Sequence, residues 1–399
     1  MAHPRKWGAT SPTWPAREQR TSTGLATVRR VRIAHTPPRY APHIGGVEAV
    51  DQVLAEYSLR HGDEVVVLCA DEPRHAPGQV NGVDVRRLAW RRKLANTNLT
   101  AGLPRALWRE RWDVVHTHLP TPWTADVSVL VARLTGRRSV LHFHNPVVGA
   151  GPSGAVAAAY RQTLQRLTLR LADAVVVISP TRRDLLLRLH PGIAAKVHLV
   201  PNGVDLDRFR PPGAGSRRTA DLLFVSVLDD FHDYKGLSVL LRALAEVPGG
   251  RLRVVGEGAG RARWEREAAK LGVADRVVWE GAVDGAALLA LYASCGVFVL
   301  PSRTADHEGG SSLVALEAMA SGLPVVLADG VGDLARQAAA AEAGLQVRGD
   351  DDAGLAAALR LLTGDGGLRE RMGTAARRHV ERHHSWDAAC AAITALYRP

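Results

Sequence analysis

Apolar residues along the chain fall into two kinds of segment that alternate. Short unbroken runs such as Glu64–Ala70 (EVVVLCA) lie between longer stretches whose apolar residues recur three and four apart. Val50, Val53, Leu54 and Tyr57 make one such helical face, and Gly62 stops it. Unbroken runs suit parallel strands covered on both sides, and the three-to-four spacing suits the helices that cover them. The pattern predicts strands at 31–35, 64–70, 113–117, 139–144, 174–179 and 197–200. Helices are predicted between them at 47–59, 124–135, 155–171 and 181–189. The stretch Arg208 to Arg218 (RFRPPGAGSRR) interrupts the pattern and reads as a linker. A second series then predicts strands at 222–228, 251–256, 276–280, 296–300, 323–328 and 344–347. Its helices are predicted at 236–246, 260–271, 286–294, 312–321, 332–341, 352–363 and 366–382, with a last one at 386–397.

Strands that alternate with helices of this length imply right-handed βαβ units. The expected fold class is therefore α/β, with two doubly wound parallel sheets, one per domain. Residues 29–207 and 208–384 are the expected domains, and 1–28, rich in Pro, Ser, Thr, Arg and Trp without periodicity, the expected disordered extension. The length of 399 residues and the 46% hydrophobic content are enough for two cores. No apolar run reaches about 18 residues, so no spanning helix is expected. The basic N-terminus has no apolar stretch behind it and is not read as a secretory signal. Cys69, Cys295 and Cys390 are odd in number and far apart, which argues against a disulfide framework or a cysteine zinc site. Together these features predict a cytoplasmic protein.

Ligands of doubly wound sheets bind beyond the carboxyl ends of the strands. The residues at those points are Gly45-Gly46, His116-Thr117-His118, His144-Asn145, Ser179, Asn202-Gly203, the 229–235 loop, Gly256–Gly260, the 302–308 loop and the residues leading to Glu317. Their concentration there predicts a ligand site in a cleft between the domains. Gly45-Gly46 before a helix suits either close approach of a phosphate or an ordinary turn. No GxGxxG follows the first strand, which disfavours a nicotinamide or flavin cofactor. His116/His118 and His142/His144 are two HxH pairs, open to a metal or a hydrogen-bonding reading. Neither has a nearby Cys or an acid within it, which favours hydrogen bonding and no metal. Lys235 opens a helix where a diphosphate or only solvent would meet it. The glycines at 256 and 258 suit a phosphate loop or tight packing. Glu317 sits inside an apolar helix, where a carboxylate needs a partner such as a ribose, unless it lies on a polar face.

These residues resemble the retaining glycosyltransferases of family 4, which have the GT-B fold. The resemblance covers about residues 31 to 397. It rests on Gly45-Gly46-Val47-Glu48, Val115-His116-Thr117-His118, Phe143-His144-Asn145 and Val200-Pro201-Asn202-Gly203-Val204-Asp205. It continues through Tyr234-Lys235-Gly236, Val255-Gly256-Glu257-Gly258, Pro301-Ser302 and Leu316–Val326 (LEAMASGLPVV). The resemblance implies sugar transfer from a nucleotide-diphosphate sugar with retention of configuration, to a glycan or lipid-linked acceptor. It implies no cofactor and no obligatory metal. Glu317 would hold the donor ribose and Lys235 the diphosphate. Gly45, Gly46, Asn202, Gly256, Ser311, Ser312 and Leu313 would complete the donor site. His144 and Glu308 would be catalytic, and His116 and His118 would lie on the acceptor side. The helix at 385–399 would cross back to the first domain.

Two positions depart from the family pattern. The Gly-Arg pair after the first strand of the second domain is replaced by Val227–His232 (VLDDFH), where His232 is the available substitute. Glu308 and Glu317 are nine apart instead of eight. A nucleotide-sugar epimerase or hydrolase, or an inactive sugar-nucleotide-binding partner, are the competing readings.

The net charge of +11 is compatible with phosphorylated substrates, anionic membranes or nucleic acid. Basic residues do not alternate with stacking aromatics as in nucleic-acid modules, so nucleic acid is not expected. Between Arg86 and Arg111, Arg86, Arg87, Arg91, Arg92, Lys93, Arg105, Arg109 and Arg111 cluster with Trp90, Trp108 and the adjoining Trp112, against one acid, Glu110. That mixture suits either peripheral contact with an anionic membrane or a solvated basic face.

Overall fold

The computed structural model describes residues 30–43, 45–74, 76–94, 97–147, 152–213, 215, 217–304 and 310–398. The expected disordered extension and Glu308 lie outside them. The chain divides into two compact units. The first holds the described residues to Ile178, Arg182–Val200 and the chain from Cys390. The second holds Ser179–Thr181 and Pro201–Ala389.

In the first unit the strands are β1 (Arg32–Thr36), β2 (Glu64–Ala70), β3 (Gln79–Val80), β4 (Val83–Leu88), β5 (Lys93–Leu94), β6 (Thr97–Asn98), β7 (Val114–Leu119), β8 (Arg138–Phe143), β9 (Ala174–Val177) and β10 (Val197–Leu199). β5 and β6 pair only with each other. The others form one sheet in the order β10-β9-β8-β7-β1-β2-β4-β3, parallel except for the β3–β4 hairpin. The second unit contains β11 (Leu222–Val225), β12 (Leu252–Val255), β13 (Val277–Gly281), β14 (Val297–Leu300), β15 (Val325–Ala328) and β16 (Gly344–Val347). These form an all-parallel sheet, β13-β12-β11-β14-β15-β16. The α/β architecture with two parallel sheets is the one the hydrophobic pattern predicts.

In both sheets the chain starts at the centre, runs outward to one edge, and returns to build the other side. Neighbouring connections therefore diverge between β1 and β7 and between β11 and β14. Such a switch point opens a crevice at the carboxyl ends of the strands.

The amino ends of several strands are tied together by aspartates. Asp63 Oδ1 accepts from the backbone N–H of Val31 at 3.1 Å, Asp113 Oδ2 from Arg32 at 2.8 Å, and Asp173 Oδ2 from Ser139 at 2.7 Å. Each carboxylate satisfies a backbone N–H at or just before the start of a strand.

The core of the second unit is one cluster, mostly aliphatic with Phe224, Trp264, Tyr292 and Phe298 among it, around Leu222–Phe224, Val297–Leu300 and Val325–Leu327. The first unit differs on its two faces. One face carries Ala34, Val66, Leu68 and Val115 under the helix Leu103–Arg109, and Leu141 and Phe143 under Thr124–Leu134. The opposite face carries His35, His116, His118 and His142, all buried beside the helix Gly46–Arg60.

The predicted helix 155–171 is two helices, Pro152–Gln162 and Leu164–Leu171, broken at Thr163. The strands β3 to β6 and the helix Leu103–Arg109 were not predicted. β4 (VDVRRL) is half-exposed with arginines on it, so it lacks the unbroken apolar run of a covered strand. No helix among the described residues is long and apolar enough to cross a membrane.

Candidate functional site

The predicted site residues of the first unit gather at the β1/β7 switch point and on the histidine face. Gly45 is the N-cap of the helix Gly46–Arg60 in extended backbone. A Cβ at Gly45 would sit 2.2 Å from a carboxylate oxygen of Glu48, which folds back over it. Glu48 is buried and paired with Arg39 at 3.1 Å. A Cβ at Gly46 would meet nothing within 4 Å. A Cβ at 45 would have to displace the Arg39-paired carboxylate of Glu48, whereas Gly46 leaves its backbone open to approach.

Strand register explains the histidine column. His35 on β1 pairs across from His116 on β7, and His118 pairs across from His142 on β8. Residues two apart on a strand share a face, so the five rings of His35, His116, His118, His142 and His144 stack along one side of the sheet. His142 and His144 have ring centroids 4.3 Å apart and nearly parallel planes. Asp51, from the covering helix, is wholly buried among them. Its Oδ1 lies 2.7 Å from His35 Nδ1 and 2.7 Å from His118 Nε2. His118 Nδ1 is 3.0 Å from His144 Nε2, and the Tyr397 hydroxyl is 2.9 Å from His116 Nδ1.

Burial raises the energy of any charge here. It pushes His116, His142 and His144 well below the usual imidazole range, helped by the neighbouring imidazoles, while Asp51 pulls His116 and His144 the other way. Burial also acts to raise Asp51, but His35 and His118 outweigh it and hold the carboxyl far below its ordinary value. The ring nitrogens of His116, His118 and His142 lie within 4.8 Å of one another, the spacing of a candidate metal triad. His118, however, already has one nitrogen on Asp51 and the other on His144. A metal would have to displace one of those bonds. His116 and His118, placed on the acceptor side by sequence, are wholly buried, while His144 at the strand tip retains slight exposure.

In the second unit the loops after β11 and β14 meet. The β11 loop carries a 3-10 turn, Phe231–Lys235, that ends at Gly236 with φ +81°. A Cβ there would lie 2.1 Å from the Pro301 carbonyl oxygen, and Arg303 N–H donates to the Tyr234 carbonyl at 2.8 Å. Lys235 is therefore fixed beside the end of β14, with its ammonium 5.5 Å from the Tyr234 ring centre. The arginine absent after β11 has no direct replacement in His232, whose Nδ1 is held at 2.7 Å by Asp229. Arg303, which sequence reasoning missed, pairs with Asp233 in the same turn.

The helix Leu313–Ala320 follows, with Ser312 as N-cap and no side chain capping it. Two hydrogen bonds anchor its entry. Asn202 Nδ2 donates to the Ser311 carbonyl at 3.0 Å, and Leu334 N–H donates to the Gly310 carbonyl. At Gly310, with φ +84°, a Cβ would meet Ser179 Oγ at 2.8 Å. Free N–H groups at such a helix start favour an anion. Within the helix, Glu317 accepts a hydrogen bond from the buried Tyr292 hydroxyl at 2.9 Å. Burial pushes its carboxyl up to about 7 despite Tyr292 and Arg208. Gly256 is explained by packing: a Cβ there would lie 1.8 Å from the Ser226 carbonyl oxygen.

The basic Arg86–Arg111 segment is only partly a free surface. Trp112 is buried under Arg32, Arg86 is paired with Glu110 and Asp84, and Lys93 is paired with Glu72. Trp108 is 56% exposed, among exposed Arg105, Arg109 and Arg111.

Comparison with known proteins bears on both units. The model for glycosyltransferase family 4 matches residues 44–208, and that for glycosyl transferases group 1 matches residues 216–379. A D-inositol 3-phosphate glycosyltransferase of Xylanimonas cellulosilytica is 32% identical over 325 residues, 75% of each chain. A glycogen synthase of Mycobacterium tuberculosis is 30% identical over 78% of this chain and 75% of its own. Among solved structures, sucrose-phosphate synthase from Thermosynechococcus elongatus superposes with a TM-score of 0.73 at 23% identity, covering 92% of this chain and 98% of that one. HepE of Anabaena in complex with UDP-glucose gives 0.72 at 18% identity over 91% and 98%.

Proposed function

The chain belongs to glycosyltransferase family 4, with the GT-B fold and nucleotide-sugar use of that family, and we propose that it transfers a sugar with retention of configuration to a glycan or lipid-linked acceptor. The observation that carries the donor half of this reading is the joining of the β11 and β14 loops. Through Gly236 against Pro301 and Arg303 against Tyr234, one switch point gathers Lys235 and the uncapped helix that bears Glu317.

In this reading the ribose hydroxyls donate to Glu317, and Lys235 faces the diphosphate. The N–H groups of Ser311, Ser312 and Leu313 add partial positive charge where the nucleotide diphosphate departs. Charge that builds on a leaving group is stabilised best by donors already fixed in place. Asn202 acts through Ser311, whose backbone it holds. Gly46 offers open backbone in the first unit, and His144 lies beside the transferred sugar. No metal or cofactor takes part: lysine and helix amides supply the positive charge, and the histidine that would complete a metal triad is committed to Asp51 and His144.

A lipid-linked acceptor would be met at an anionic membrane surface by the helix Leu103–Arg109. Support for that comes from Trp108 with Arg105 and Arg109, and from the helix Leu164–Leu171, which exposes Leu164 and Leu167 beside Arg166 and Arg170. An apolar side chain beside cations suits the headgroup region.

The test is a panel of UDP-, GDP- and ADP-sugars screened by thermal shift, followed by product analysis with glycan and lipid-linked acceptors. The expected outcome is one stabilising donor and a product with the donor's anomeric configuration by NMR. Donor turnover without any acceptor dependence would replace the reading by an epimerase or hydrolase. Failure to bind any nucleotide would replace it by an inactive partner.

A further inference from the structure

The histidine face is an unusual thing to bury. Asp51 is the only carboxylate that bonds these rings among the described residues, and it reaches two of them through one oxygen. A carboxylate can only accept, so both N–H groups that converge on Oδ1 must be donors. In a neutral His118 ring the single proton then sits on Nε2, and Nδ1 is left as a lone pair. The atom facing that lone pair is His144 Nε2, 3.0 Å away, which must therefore be the donor of their bond. With one proton per ring, His144 Nδ1 is bare.

We propose that Asp51 and His118 are positioning residues that fix the tautomer of His144, so that its Nδ1 is presented as a hydrogen-bond acceptor. The order Asp51 to His118 to His144 is a relay of bond direction across two rings. A buried carboxylate behind a single histidine fixes the tautomer of that ring in the same way in serine hydrolases. Here the device is extended by one imidazole.

Three further observations agree. His144 is the ring at the strand tip and the one in the relay that is not wholly buried. His142, stacked on it, has neither nitrogen partnered, so it does not compete for the His144 protons. His35, which shares Asp51 Oδ1, has Nε2 unpartnered and buried, so its proton also has to sit on Nδ1. Every ring that touches Asp51 is thus oriented by it.

The consequence for chemistry depends on His144 lying beside the transferred sugar, as proposed above. An acceptor nitrogen there takes a sugar hydroxyl as donor, whereas the other tautomer would present N–H and could bond the hydroxyl only as an acceptor. The tautomer itself does not depend on that placement, and the two are tested separately.

The experiment is 15N-edited NMR of the histidine rings in the unliganded protein, with steady-state kinetics on the same variants. In the wild type, His144 is expected with N–H at Nε2 and a pyridine-like Nδ1. Asp51→Ala removes the acceptor, freeing His118 to donate from Nδ1 and driving the His144 proton to its own Nδ1. Asp51→Asn keeps an oxygen in place and should retain the wild-type tautomer. In turnover, Asp51→Ala should lose about ten-fold in kcat with donor KM little changed, the size of one lost hydrogen bond to a polar partner. Asp51→Asn should recover most of that loss. In a His144→Ala background, Asp51→Ala should add nothing, because the two act as one unit. A wild-type His144 with its proton on Nδ1, a measurement that needs no variant, would overturn the relay. So would an unchanged His144 tautomer in a folded Asp51→Ala protein. The expected tautomers with unchanged kcat would leave the relay standing and remove His144 from the reacting sugar.

Discussion

The hydroxyl of Tyr292 donates to the carboxylate of Glu317 at 2.9 Å, so the acid proposed to hold the donor is itself held from below. Burial keeps Glu317 protonated up to about pH 7. The ionised carboxylate is the stronger acceptor for a ribose hydroxyl. Donor nucleotide should therefore bind more weakly as the pH falls through 7, and binding at pH 7 should release protons. Calorimetry in buffers of different ionisation enthalpy reads this directly. Identical heats in all buffers would contradict it.

Glu317→Gln should separate affinity from stability. A pKa raised in the folded state means that this group favours folding below about 4.5 and loses that contribution as the pH rises to about 7. The neutral amide has no such loss, so the variant should be more stable at neutral pH, by on the order of 1 kcal/mol after solvent screening. Donor affinity should fall about ten-fold, because bonds to a charged partner are worth about 1.5–3 kcal/mol each. A folded variant with unchanged donor binding would remove Glu317 from the site.

Tyr292→Phe deletes the one bond that favours ionised Glu317 from the buried side. The pH midpoint of donor binding should move upward, with a stability cost of about 1 kcal/mol. A midpoint that stays in place would show that Tyr292 does not tune the acid.

Lys235→Ala should weaken a nucleoside diphosphate far more than the nucleoside, since only the former carries the charge that the lysine meets. Gly236→Ala should do the same at a larger cost in stability, because φ is +81° and a Cβ would lie 2.1 Å from the Pro301 oxygen. Titrations with both ligands and a melting curve decide. Equal losses for nucleoside and diphosphate would give Lys235 a role in the fold or at the base.

Binding to liposomes that contain anionic lipid should depend on Trp108 and on Arg105, Arg109 and Arg111, each cation contributing about 1 kcal/mol at low salt. Charge reversal at Arg105, Arg109 and Arg111 should abolish sedimentation with such vesicles. Binding that ignores lipid charge, or that survives the reversal, would rule the contact out.

Both sheets were legible because their covered strands are unbroken apolar runs, as at Glu64–Ala70 and Val297–Leu300. β3 and β4 escaped that criterion, although Val80-Asn81-Gly82-Val83 carried a hairpin signal: Asn81 and Gly82 both have positive φ. The positions of Lys235 and Glu317 beyond strand ends followed from sheet logic, and Ser311 from the family resemblance. Their partners did not. Tyr292 reaches Glu317 from 25 residues away, and Asp51 reaches His118 from 67. Asp51 lay on a recognised helix, but which acid of that helix faces inward depends on the rotation of the helix over the sheet. The two HxH pairs suggested a metal or hydrogen bonds, and only strand register shows that they form one column with His35.

The aspartates that tie the strand entries have a bearing on how such a chain can change over generations. Asp63, Asp113 and Asp173 fasten the amino rim of the first sheet, and the glycines and histidines proposed to meet ligand sit at or toward its carboxyl rim. Mutations that explore new acceptors fall on loops at one rim, while those that threaten folding fall at the other. A sheet divided in this way can drift in specificity without drifting toward unfolding. Losing Asp63, by contrast, removes a buried cap that no change of substrate would restore.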